Sequence, residues 1–257
     1  MKRRVLEFNR DWLYCPQDRP SYARWHCSEL RFERVCLPHT NVELPHHNFD
    51  NRDYQFISWY RKHFTLPLRW QGRRLFLDFD GVMMAAEVFV NGRRVATHRG
   101  GYVPFCADIT EHVRFGAREG NVVSVRVDSR ERPDIPPYGG VADYLTFGGI
   151  YRDVRLRAVC PLFIEDICTR PRDVMEPTRA LDVLLSVRNT TGRARSAEAA
   201  AELCRLDGTQ LARSETATVD VPPGGAAQVA VHLRGLKGIR LWELDSPELY
   251  LARARLS

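Results

Sequence analysis

The chain has 257 residues, 44% of them hydrophobic and 27% charged, with a formal net charge of +6. That composition leaves room for two hydrophobic cores and excludes an intrinsically disordered chain. The positive excess is arginine dispersed among carboxylates, as in Arg152-Asp153 and Arg170 to Asp173. The clustered charge that tracks a phosphate backbone is therefore missing, and nucleic acid is not expected as a partner.

At the N-terminus, basic residues are not followed by an apolar run, because Glu7, Asn9, Arg10 and Asp11 interrupt it, so the pattern of a secretion signal is absent. No segment reaches the apolar length of a membrane span, and no membrane partner is expected. Seven cysteines, at 15, 27, 36, 106, 160, 168 and 204, form no CxxC pair. Reduced thiols predict a cytoplasmic location.

Residues 1 to 55 are rich in proline, histidine and aromatics, and Leu37-Pro38-His39 and Leu44-Pro45-His46-His47 read as extended or looping backbone. An irregular lead-in packed on a sandwich is expected here. His39, His46 and His47 fit no zinc spacing, so no metal or other cofactor is predicted. Beyond Ser58, strand-length runs alternate or stay apolar: Trp59 to Leu66, Arg74 to Phe79, Ala86 to Val90 and Val122 to Val127. Asn91-Gly92, between Val88-Phe89-Val90 and Arg94-Val95-Ala96, predicts a type I′ hairpin. These features predict a jelly-roll β-sandwich over residues 1–160.

A second pattern follows Val159-Cys160-Pro161. Strands are predicted at Phe163 to Ile167, Leu181 to Val187, Ala199 to Leu203, Ala217 to Val221, Gln228 to Leu233 and Leu249 to Ala254. Asn189-Thr190-Thr191-Gly192, Asp207-Gly208 and Pro222-Pro223-Gly224-Gly225 supply turn chemistry between them. Six strands over residues 161–257 predict an immunoglobulin-like sandwich one strand short of the usual seven. Such an incomplete sandwich is expected to leave a sheet edge open.

Three motifs in the first sandwich, taken in order, carry a family resemblance. They are Trp59-Tyr60-Arg61-Lys62 before Phe64; Gly81-Val82 through Ala86-Glu87-Val88-Phe89-Val90-Asn91-Gly92 to His98-Arg99-Gly100-Gly101-Tyr102-Val103-Pro104-Phe105 and Asp108-Ile109-Thr110; and Gly148-Gly149-Ile150-Tyr151-Arg152-Asp153-Val154. Together they resemble the sugar-binding domain of family 2 glycoside hydrolases, the group of β-galactosidases, β-glucuronidases and β-mannosidases. Leu241-Trp242 through Pro247-Glu248-Leu249-Tyr250 is similar to the signature of that family's immunoglobulin-like second domain. The resemblance implies an all-β chain, a galactose-binding-like jelly roll followed by an immunoglobulin-like sandwich, that stops before a (β/α)₈ barrel. Retaining hydrolysis needs two carboxyl groups about 5 to 5.5 Å apart. In the family both lie in the barrel, so no catalytic residue is assigned.

Asp143 matches, by the same resemblance, a loop aspartate that hydrogen-bonds substrate hydroxyls in the barrel's active site, with Tyr144 beside it as a stacking face. A carboxylate suits two adjacent hydroxyls, which it accepts through charge-assisted bonds. Read from the residues alone, Asp143 equally satisfies backbone amides of its own loop. Pro136-Pro137-Tyr138-Gly139-Gly140 is expected to shape the loop leading to it. The implied partners are a β-glycoside and a catalytic barrel, in cis or in trans, with further copies of the chain in a homo-oligomer. Two other readings stand beside this one: a stand-alone carbohydrate-binding module, and a fragment complementing a separate barrel chain.

Independently of any family, the glycine pairs at 100-101 and 148-149 predict positive φ or a close backbone approach. Alternation along the strand puts Tyr60 and Phe64 on one face and Trp59 on the other.

Overall fold

A computed structural model describes residues 3–47, 50–116, 118, 120–136 and 145–257. The chain is all-β and divides into two compact units, Met1–Cys160 and Pro161–Ser257.

Among the described residues ten strands build the first unit: β1 (Arg4–Glu7), β2 (Trp12–Cys15), β3 (Glu33–Val35), β4 (Ile57–Phe64), β5 (Arg74–Phe79), β6 (Ala85–Val90), β7 (Arg93–Arg99), β8 (Phe105–Asp108), β9 (Asn121–Asp128) and β10 (Val154–Val159). They form a four-stranded sheet, β1-β10-β5-β8, and a six-stranded sheet, β3-β2-β4-β9-β6-β7. Side chains alternate across each strand, so Leu75, Leu77 and Phe79 of β5 meet Val88 and Val90 of β6 and Val125 of β9 in one core. The irregular lead-in expected over residues 1 to 55 is corrected: it contributes three short strands. Each has only three or four residues, too few for alternation to register in the sequence.

The hairpin expected at Asn91-Gly92 is present, with Val90 paired to Arg93 and φ of 51° at Asn91 and 83° at Gly92. Asn91 also fastens the turn to its surroundings. Its Nδ2 donates to the His112 carbonyl at 2.7 Å, and its Oδ1 accepts from the Val122 amide at 2.9 Å.

On the outer face of the four-stranded sheet, arginines and carboxylates interleave across strands. Arg157 donates twice to Asp78, at 2.7 and 2.8 Å, while covering the Phe76 ring. Arg155 lies 2.8 Å from Asp80 and 3.1 Å from Asp153, and Arg74 lies 2.9 Å from Glu111 and also meets Asp108. Each cross-strand pair joins diagonal neighbours, since Arg157 lies opposite Phe76 and Arg155 opposite Asp78, and opposite charges so placed favour one register.

β4 is covered on both faces. Tyr60 enters the main core with Phe64 packed against it, whereas Trp59 joins a separate cluster with Cys15 and Tyr22, as alternation predicts. Arg61, on the Trp59 side, is fully buried. Its guanidinium donates to the Glu29 carboxylate at 2.9 Å, the Ser124 hydroxyl at 2.7 Å, and the carbonyls of Tyr22, Arg24 and Trp25. The chain from Tyr22 to Glu29 is thereby folded around one cation and laid over the sheet.

Seven strands make the second unit: β11 (Leu162–Arg172), β12 (Arg179–Asn189), β13 (Arg195–Arg205), β14 (Gln210–Arg213), β15 (Ala217–Val221), β16 (Ala226–Leu236) and β17 (Tyr250–Leu256). One sheet runs β11-β12-β16, and the other is organised around β13. Glu202 of β13 pairs with both β14 and β17, and Ala199 with both β15 and β17. β14 and β15 therefore share one edge of β13, and β17 takes the other. The six strands read from the sequence are the six rows of this sandwich, and β14 extends the row of β15. Ser214 makes the break between them: its backbone amide donates to the Ala201 carbonyl, and its hydroxyl accepts from the Ala201 amide, both at 2.9 Å.

Among the described residues β17 pairs with β13 alone. Its inward residues Tyr250, Ala252, Ala254 and Leu256 are only partly buried, and Ile167 on β11 is 41% exposed. The sandwich is open along that side.

Replacing Arg61 with methionine should remove one partner of Glu29 and leave several acceptors unpaired, destabilising the first unit by roughly 3–5 kcal/mol. Denaturant unfolding monitored by tryptophan fluorescence measures it; an unchanged midpoint would contradict the organising role of Arg61.

Candidate functional site

Asp143 and Tyr144, the substrate-contacting residues expected from the sequence, lie outside the described residues, as do their neighbours from 137 to 144. What is described is the backbone on either side of them, the two stems at residues 131–136 and 145–150. On the entering side, Arg132 and Ile135 form an isolated bridge. Ile135 is buried against Met83 and Met84, whose shared peptide bond is cis, and Arg132 and Arg99 both bind Asp134 at 2.9 to 3.2 Å.

The returning stem, residues 145–150, is fixed more firmly. The amides of His39 and Asn41 each donate 2.9 Å bonds, to the carbonyls of Ile150 and Gly148 respectively, and the Met83 amide donates to Gly149 at 3.0 Å. The Thr146 hydroxyl donates to the Tyr54 hydroxyl at 3.3 Å. Gly148 and Gly149 are required by this contact. A Cβ on Gly148 would fall 2.5 Å from both Asn41 Nδ2 and Ser129 Oγ; on Gly149, whose φ is +106°, it would fall 2.6 Å from the Tyr60 hydroxyl. The other pair behaves likewise, since φ is +123° at Gly100 and a Cβ on Gly101 would strike the Met83 sulfur. Both expectations for the paired glycines hold.

Below the stem is a polar aromatic floor. The Tyr14 hydroxyl donates to the Asn41 carbonyl at 2.5 Å, the Tyr60 hydroxyl lies 2.9 Å from His39 Nδ1, and the Tyr14 ring packs on both His39 and Tyr60. Burial raises the pKa of Tyr60 and of Tyr14, the latter helped by the charge of Glu33, and burial lowers that of His39. The Tyr60 hydroxyl therefore stays protonated and shares its hydrogen bond with Nδ1 of the imidazole. Asn41 Nδ2 donates to the Tyr54 carbonyl at 2.7 Å, and Asn41 Oδ1 is buried without a hydrogen-bond partner among the described residues. Chemically, this arrangement fixes the backbone of residues 146–150. Among the described residues no group of three or more His, Cys, Asp or Glu side chains could hold a metal ion.

The sequence named the Gly148-Gly149 pair but missed the floor it rests on. Tyr14, His39, Asn41, Tyr54 and Ser129 come from four separate segments, and no local pattern signals that they converge.

The family model for "Glycosyl hydrolases family 2, sugar binding domain" matches residues 24–160, which contain both stems and most of the floor. The chain belongs to glycosyl hydrolase family 2. A β-galactosidase of Thermoanaerobacter pseudethanolicus is 48% identical to this family 2 chain over 167 residues, which are 65% of the chain and 22% of the relative. A β-galactosidase of Thermoanaerobacterium thermosulfurigenes is 33% identical over 254 residues, 96% of the chain and 34% of the relative. Among solved structures, a Bacteroides uniformis β-glucuronidase superposes with a TM-score of 0.86 at 25% identity, over 99% of the chain and 30% of that protein. The family 2 chain thus spans about a fifth to a third of the length of these relatives.

Two outcomes follow from the anchorage. Gly149→Ala should destabilise the first unit by about 2 kcal/mol or more, since the φ and the Tyr60 contact both resist a methyl group. Gly192→Ala, with nothing within 4 Å of the new Cβ, should leave the thermal midpoint nearly unchanged. His39, whose folded pKa lies below its unfolded value, contributes stability fully present above about pH 6.5 and lost as pH falls through the folded pKa. Over that window the thermal midpoint should fall more steeply in the parent protein than in His39→Gln; parallel curves would show that His39 does not titrate there.

Proposed function

We propose that this chain is the non-catalytic N-terminal portion of a family 2 β-glycosidase of the β-galactosidase or β-glucuronidase type. In this reading residues 1–160 are the sugar-binding-type sandwich and residues 161–257 an immunoglobulin-like one. They support a catalytic barrel, and the first lends it a loop in which Asp143 accepts hydrogen bonds from sugar hydroxyls and Tyr144 offers a ring face. The observation that carries the reading is the match of the sugar-binding domain model to residues 24–160. The fixed stems support it further: a loop that contacts substrate has to be positioned by the rigid elements beneath it. The relatives' names supply the substrate class. We place the protein in the cytoplasm on the strength of its seven free cysteines.

The isolated chain should release no chromophore from nitrophenyl β-galactoside or β-glucuronide. Turnover that disappears when one of its own carboxylates is replaced would overturn the proposal. In the protein joined to its barrel, Asp143→Asn should lower kcat/KM by about 10- to 100-fold, equivalent to roughly 1.4–2.7 kcal/mol, without changing the circular dichroism spectrum.

A further inference from the structure

β1 is an edge of the four-stranded sheet. Among the described residues it pairs with β10 alone, and all four of its residues are exposed, Val5 by 44% and Leu6 by 47%. The residue that follows it fixes the direction of its backbone groups. Phe8 comes next after the Glu7–Arg155 pair and donates its amide to the Val154 carbonyl at 3.0 Å, so the bonds to β10 fall on Phe8, Leu6 and Arg4. In an antiparallel ladder the residues between them turn their N–H and C=O the other way. Val5 and Glu7 therefore direct theirs to the open edge, and Arg3 is in the same phase. Side chains follow the same alternation: Arg3, Val5 and Glu7 take the outer face with Arg157 and Arg155, whereas Leu6 lies opposite the core residue Leu156.

An open strand edge is a template for another strand. A second copy of this chain brings the same edge round a two-fold axis, and edge-facing groups must meet edge-facing groups, so some residue has to lie opposite its own copy. Centring the pair on Arg4 or Glu7 sets like charges opposite each other, which is unfavourable, and centring it on Leu6 sets no charge opposite another. Centring it on Val5 sets Arg3 opposite Glu7 of the second copy at both ends, with Val5 against Val5 and Arg4 against Leu6. That register also lets the free N–H and C=O groups of Arg3, Val5 and Glu7 bond to one another. We propose that this chain self-associates through β1, two copies pairing antiparallel about Val5 so that their four-stranded sheets continue into each other. Joining edge to edge leaves the interleaved arginines and carboxylates of the flat face in water. So short a contact makes a weak, reversible dimer. The inference goes beyond the glycosidase reading and does not depend on it.

The test is sedimentation equilibrium of the 257-residue chain from about 10 μM to 1 mM, the range in which small interfaces assemble. A monomer–dimer equilibrium is expected. Glu7→Arg, which sets arginine opposite Arg3 at both ends, should weaken it at least about 10-fold. Combining Arg3→Glu with Glu7→Arg should restore the parent affinity, because each ion pair is then only reversed in direction. Val5→Pro removes an amide that β10 does not use, so it should abolish the dimer while the thermal midpoint of the monomer stays near that of the parent. A chain that remains monomeric throughout the range overturns the proposal. So does a dimer that survives Val5→Pro and Glu7→Arg, which would put the contact elsewhere, as on the open side of β17. Should Val5→Pro fail to fold, the charge variants decide alone: association that Glu7→Arg leaves unchanged, or that the exchanged pair does not restore, overturns the proposal.

Discussion

One buried guanidinium organises the first unit. Arg61 brings a full positive charge to a position with no solvent contact, and that is tolerable only because carboxylate, hydroxyl and three carbonyls surround it. Apart from Ser124 on β9, the acceptors come from a segment with little regular structure of its own. The cation therefore fixes both where Tyr22 to Glu29 lies and which face of β4 it covers. Glu29 completes the arrangement: burial works to raise its pKa, but hydrogen bonds from His63 and Arg61 outweigh that and hold it below the usual carboxylate range. Asp18 extends the same cover, accepting from Trp59 Nε1 at 2.9 Å and from Arg126 at 2.7 and 3.0 Å. With its outer face sealed, β4 can commit its other face, and Tyr60 in particular, to the floor beneath the loop stem.

The two faces of β4 thus serve different ends. One is a packing solution in which charge is matched by charge. On the other, Tyr60 meets His39 and Gly149, where polar groups sit in a largely apolar setting and each bond matters more because the local dielectric is low. The backbone of residues 148–150, resting on this floor, inherits its position from residues far away in sequence.

Much of the fold was legible in the residues. Most strands of six or more residues announced themselves by alternation or an apolar run, and β5 was read to the residue, because its buried and half-buried positions strictly alternate; the six-residue β10 and the four-residue β8 were not read as strands. Asn91-Gly92 specified its turn through backbone conformations few other pairs adopt comfortably. β1, β2 and β3 were not legible, being too short for periodicity to stand out, and β14 escaped because an irregular serine separates it from β15. The site was legible only through Gly148 and Gly149, whose need for space is written in their lack of a side chain. The partners that create that need, Asn41 and Ser129 above all, are ordinary polar residues whose importance comes only from tertiary convergence.

The interleaved arginines and carboxylates on the four-stranded sheet restrict how this architecture can grow. Covering Arg157, Asp78, Arg155 and Asp80 with another layer would strip water from ions already satisfied by one another, and desolvation would cost more than new packing returns. The charged flat side of that sheet is therefore one on which a further apolar layer would be costly.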